Sequence, residues 1–76
     1  MSQEMIEDVL SVTKNALKAH KIEKDIAHSI KTEFDNKFGS TWHCIVGKDF
    51  GSFVTHQSNH FIYFYLEGLA FLLFKT

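Results

Sequence analysis

Few residues in this chain have the types and spacing to do covalent chemistry. His43 and Cys44 are adjacent, the residue types of a thiol-imidazole nucleophile. Neighbours on a strand project to opposite faces, so this imidazole cannot take that thiol's proton, and the pair reads as a packed cysteine beside an interfacial histidine. His56 and His60 have the four-residue spacing that suits zinc on a helix, but Gln57-Ser58-Asn59 between them reads as a turn and no third ligand is evident. Glu33 with Asp35, and Glu4 with Glu7 and Asp8, read as solvated helix faces rather than acid-base pairs. Gly47 and Gly51 flank Lys48-Asp49-Phe50 with no helix start after them, which gives nucleotide binding no support. His20 and His28 read as solvated helix residues. The expectation is a chain with no catalytic residues, no metal and no cofactor.

One segment invites binding instead. In Phe50-Gly51-Ser52-Phe53-Val54-Thr55-His56, strand alternation puts Phe50, Ser52, Val54 and His56 on one side and Gly51, Phe53 and Thr55 on the other. No single dry core explains that mixture, and it fits an edge strand. Open main-chain N–H and C=O groups at an edge can pair with an incoming extended peptide, while pockets for alternate side chains give selectivity. The competing reading is an edge that simply meets water.

The elements that must position this strand follow from periodicity. Met5, Ile6, Val9, Leu10, Thr13, Ala16 and Leu17 recur at three- and four-residue steps and predict a first helix, with Ser2 as N-cap. After a break near Lys21, Ile22, Ile26, Ile30, Phe34 and Phe38 form the single apolar seam of a second helix that ends at Gly39. From Thr41 the period falls to two and the composition turns β-branched and aromatic. Four strands are predicted: Thr41 to Val46, Phe50 to His56, His60 to Leu66 and Leu69 to Lys75, the last two joined by Glu67-Gly68. In those last strands Ile62, Phe64, Phe71 and Leu73 share one face, and Phe61, Tyr63, Tyr65, Ala70 and Leu72 the other. Both faces are apolar, yet two short helices can cover only one. A copy of the same sheet is the simplest cover for the second.

Composition bounds the function classes. At 76 residues the chain has room for one domain with a thin core, and its single cysteine permits no internal disulfide, which favours association as the remedy. The lone thiol and the lack of a leader-like segment suggest the cytosol. The formal charge is −1 with no basic cluster, which argues against nucleic acid, and the most apolar stretch, Phe61 to Phe74, is too short and too interrupted to span a bilayer as a helix. A hydrophobic share of 45% excludes a disordered tail.

Several strings then carry a resemblance: Ile22-Glu23-Lys24-Asp25-Ile26-Ala27, Thr41-Trp42-His43-Cys44-Ile45-Val46-Gly47, Phe50-Gly51-Ser52, Val54-Thr55-His56 and His60-Phe61-Ile62-Tyr63-Phe64-Tyr65-Leu66. Together they closely resemble the small cytoplasmic dynein light chains, along nearly the whole length from Met1. The resemblance implies one domain over residues 1–76, an α+β fold of two N-terminal helices packed on an antiparallel sheet. It also implies a strand-exchanged homodimer with two sheets face to face, the Phe50 to His56 strand crossing to the partner.

The function implied is that of a non-enzymatic dimeric hub. It would be a light chain of the microtubule-associated dynein complex and would promote dimerisation of other proteins. Its partners would be the dynein intermediate chain and other proteins with threonine-glutamine-threonine motifs, added as strands in two symmetric grooves. The residues implied in each groove are Asp49, Phe50, Gly51, Ser52, Phe53, Val54, Thr55 and His56, with Phe61, Tyr63, Tyr65, Ala70 and Leu72 as floor. The motif's glutamine would be anchored at Glu23 and Lys24. The dimer contact would involve His43, Ile45, Gly47, Lys48, Ser52, Phe53 and Thr55. Asp49 stands where the family has asparagine, so acidic flanking segments are expected to bind more weakly. A specialised axonemal or surface-coat paralogue is the alternative. A small metal- or thiol-dependent enzyme is the reading from another class.

Overall fold

Two helices and three strands follow one another in the computed structural model, which describes residues 1–48, 50–51 and 59–76. Helix α1, Gln3–Ala19, starts where the Ser2 hydroxyl accepts the Met5 N–H at 3.2 Å, satisfying one of the donors that a helix leaves open at its first turn. Its buried residues are Val9, Val12, Thr13 and Ala16. Leu10, predicted on that face, is 39% exposed. The stripe is therefore centred one position off the expected set: Val12 joins Val9 and Ala16 one turn either side, and Leu10 rotates outward.

Helix α2, Glu23–Phe38, buries Ile26, Ile30 and Phe34 at four-residue steps, as the seam predicted. Ile22 does not belong to it. That residue is the N-cap, extended and 64% exposed, and its side chain makes no capping bond. Gly39 closes the helix at φ 78°, a backbone setting that a side chain would strain.

Strands β1 (Trp42–Gly47), β2 (Phe61–Leu66) and β3 (Leu69–Lys75) form an antiparallel sheet in the order β1-β3-β2. β2 and β3 are joined by Glu67 (φ 52°) and Gly68 (φ 80°), with Leu66 facing Leu69. Two successive positive φ values make a type I′ turn, whose twist matches that of the strands it connects. The fourth predicted strand, Phe50 to His56, falls mostly on Ser52 to His56, outside the described residues, as does Asp49.

The core lies between the helices and one face of this sheet. Val9, Val12, Ala16, Ile26, Ile30, Phe34, Trp42, Phe71 and Leu73 form it, with Ile62 and Phe64 packed against them. Phe34 meets the Trp42 ring edge-on at 5.0 Å, and Phe64 stacks on Phe71 at 5.0 Å. Full burial of such side chains contributes roughly 1.5–3 kcal/mol each, and the cluster ties α1, α2 and sheet together.

Candidate functional site

The strand order leaves β1 with a neighbour on one side only among the described residues. Thr76 N–H donates to the Thr41 carbonyl at 3.2 Å, so Thr41 points its main chain toward β3. Main-chain direction alternates along an antiparallel strand, and Trp42, Cys44 and Val46 therefore direct theirs away from the sheet. The Trp42 N–H is used: it donates to Asp35 Oδ1 of α2 at 2.8 Å. Among the described residues, Cys44 and Val46 are left as open donors and acceptors of that edge.

α2 runs beside this edge, and the space between them is a groove of about 650 Å³. Glu23, Lys24, Ala27, His28 and Lys31 form its helix wall; β1 from Trp42 to Val46, with Phe74, forms the other. Asp35 fixes the spacing of the two walls, because it also binds the Lys31 ammonium one helical turn away. That ammonium is the largest cause holding the Asp35 carboxyl below its usual range; partial burial opposes the shift and the Trp42 N–H adds to it.

The predicted residues fall into three groups. Glu23 and Lys24 stand exposed at the start of α2, on the groove wall. Phe61, Tyr63 and Tyr65 are 36%, 38% and 64% exposed on the sheet face away from the helices, with Tyr63 and Tyr65 hydroxyls 3.3 Å apart and Phe50 edge-on to Tyr63. Ala70 and Leu72 share that face but are wholly buried. They lie on the central strand, where Leu72 stands between Ile45 and Tyr63 in the register and Ala70 between Gly47 and Tyr65, with the Phe50 ring close over Gly47. Gly51 is exposed; Asp49, Ser52, Phe53, Val54, Thr55 and His56 lie outside the described residues.

Of the predicted contact residues, His43, Ile45 and Lys48 are exposed and Gly47 is half-buried. His43 stacks on Phe74 at 5.1 Å and its Nε2 lies 3.4 Å from Thr76 Oγ1. Cys44 points the other way, and burial pushes its thiol up to about 12, so the thiolate is disfavoured at neutral pH. No cluster of metal-binding side chains occurs among the described residues. Nor is any helix among them long and apolar enough to cross a membrane. His28, read from the sequence as merely solvated, lies on the groove wall. Its position one turn after Lys24 was the available signal.

The geometry defines a two-helix, antiparallel α+β domain whose sheet has an open edge beside a helix wall among the described residues. The comparisons with known proteins assign the family. The family described as dynein light chain type 1 matches residues 1–76, and the chain belongs to it. It is 57% identical over 76 residues to a dynein light chain of Schistosoma mansoni, covering all of this chain and 85% of that one. It is 51% identical to a cytoplasmic dynein light chain 1 of Saccharomyces cerevisiae, covering all of this chain and 83% of that one. Among solved structures, the dynein light chain-like domain of the Fasciola hepatica calcium binding protein FhCaBP2 is similar, with a TM-score of 0.80 and 30% identity over all of this chain and 83% of that chain.

Proposed function

We propose that this chain is a non-enzymatic, dimeric, cytoplasmic hub of the dynein complex that captures extended segments of other proteins as added strands. The open edge at Cys44 and Val46, beside α2, carries the reading. That edge suits the Phe50 to His56 strand of a second copy, and a guest segment then lies between the crossed strand and the helix wall. The exposed Phe61, Tyr63, Tyr65 and Ile45 suit burial by the same second copy. The N-terminus of α2, whose N-cap side chain makes no bond, suits a guest glutamine carbonyl at the N–H groups near Glu23 and Lys24. Family membership supports dynein association, and the names of the yeast and Emericella nidulans relatives support a cytoplasmic location. Two grooves related by a two-fold axis favour bivalent partners, whose second engagement is intramolecular.

Light scattering and calorimetry test this together. The expected results are a mass twice the 8.8 kDa of the chain and one threonine-glutamine-threonine peptide bound per chain. A monomer at neutral pH that ignores the peptide would sink the reading.

A further inference from the structure

The open edge of β1 is bounded at both ends. Its outward main-chain groups belong to Trp42, Cys44 and Val46, and the strand ends at Gly47. At the Trp42 end the outward N–H is already taken. It donates to Asp35 Oδ1 at 2.8 Å, the distance of a ladder hydrogen bond, here made with a side chain. The carboxylate is held in that place from its other oxygen, because Asp35 Oδ2 accepts from the Lys31 ammonium one turn earlier in α2. Both oxygens are thus committed, and the Asp35 side chain is only 17% exposed, so water does little to loosen them. Trp42 itself is wholly buried and meets Phe34 of α2 edge-on, which fixes this end of the strand against the helix that carries the carboxylate.

We propose that Asp35 is a strand stop: it stands in for a neighbouring strand's carbonyl at Trp42 and so sets where a second copy's strand ends its pairing with β1. This rests on the proposed pairing of that edge with a second copy, and it adds a positioning residue to it. A strand laid along β1 exchanges hydrogen bonds with Cys44 and Val46. To reach Trp42 it would have to bring one acceptor, its carbonyl oxygen, against another, the carboxylate, and break a charge-assisted bond to do so.

Side-chain pattern alone does not supply this control. A slip of one residue turns an incoming strand over and presents its wrong face, so alternation forbids it. A slip of two residues keeps every side chain on its own face and meets no such penalty. Toward Gly47 that slip fails because β1 runs out. Toward Trp42 the chain continues, and it is the carboxylate that closes the way. A stop also limits what else the edge does, since a longer run of unpaired main-chain groups is a template for continued pairing with further chains.

Amide hydrogen exchange of the whole chain, read residue by residue by NMR, tests this. Exchange is compared between the chain at doubled mass by light scattering and the chain made single, by dilution or by Tyr65→Lys. The Cys44 and Val46 amides should exchange on the order of tenfold slower in the pair, whereas the Trp42 amide should be slow in both states, because Asp35 and not the second copy holds it. In Asp35→Ala the Trp42 amide should be fast in the single chain and slow in the pair, as the ladder grows by one residue. In Asp35→Asn, whose amide oxygen still accepts, it should again be indifferent to pairing. A general loss of stability would speed all three amides together, so their ratios separate a positioning role from a structural one. If the parent's Trp42 amide follows pairing as Cys44 does, or stays fast in paired Asp35→Ala, the stop is overturned while the pairing stands. If Cys44 and Val46 are no slower in the pair, or the doubled mass never appears, the pairing reading falls and this proposal with it.

Discussion

Asp35 is the residue whose loss should be felt farthest from its own position. Its carboxylate joins the last turns of α2 to the first residue of β1, accepting the Trp42 N–H while holding Lys31. Removing it leaves that N–H next to a buried ring with nothing to replace the acceptor. Asp35→Ala should cost about 1–2 kcal/mol in chemical denaturation, and Asp35→Asn less, since an amide oxygen can still accept from Trp42. The sign of the pH effect follows from the lowered carboxyl. Its contribution is complete above the unfolded aspartate value of about 3.9 and is lost as pH falls through the lower folded value. Acid titrations of wild type and Asp35→Ala should therefore converge toward the acid end; curves that stay parallel would show that Asp35 does not titrate with folding.

At the scale of elements, the β2–β3 hairpin holds the clearest local conflict. A type I′ turn needs positive φ at both central residues, and Glu67 supplies an unsuitable side chain at the first. Glu67→Asn should stabilise by a few tenths to about 1 kcal/mol, measured by thermal unfolding. Gly68→Ala should destabilise by about 1 kcal/mol; no atom lies within 4 Å of the added carbon, so the cost is conformational alone. A neutral Gly68→Ala would mean that the turn relaxes into another type. The same hairpin aligns Tyr63 with Leu72 and Phe64 with Phe71, so a register slip would exchange the core face for the outer one.

Across the whole molecule, the imbalance lies between two sheet faces. The inner face meets α2 and α1 through Trp42, Phe71 and Leu73; the outer presents Ile45 at 40% and Tyr65 at 64% exposure. A charge placed there costs little in a lone chain and much in a covered one. Ile45→Asp and Tyr65→Lys should halve the mass measured by light scattering while leaving far-UV circular dichroism intact. Variants that keep the parent's mass would place any association elsewhere on the surface.

Element type was written in the chain itself: four-residue steps at Ile26, Ile30 and Phe34, alternation over Trp42–Gly47, Phe61–Leu66 and Leu69–Lys75, and a two-residue connector at Glu67-Gly68 are local signals, and each of these became the element it predicted. The two faces of the hairpin were legible for the same reason, because a strand's side-chain period is two whatever surrounds it. Burial within a face was not. Ala70 and Leu72 alternate with Phe71 and Leu73 as expected, yet all four are buried, since strand order placed β3 in the middle of the sheet. Likewise His28 reads as an ordinary surface residue until α2 is laid beside β1 and the space between them becomes a groove. Periodicity is a property of neighbours along the chain; which edge stays open, and what faces it, is decided by contacts between residues far apart in it.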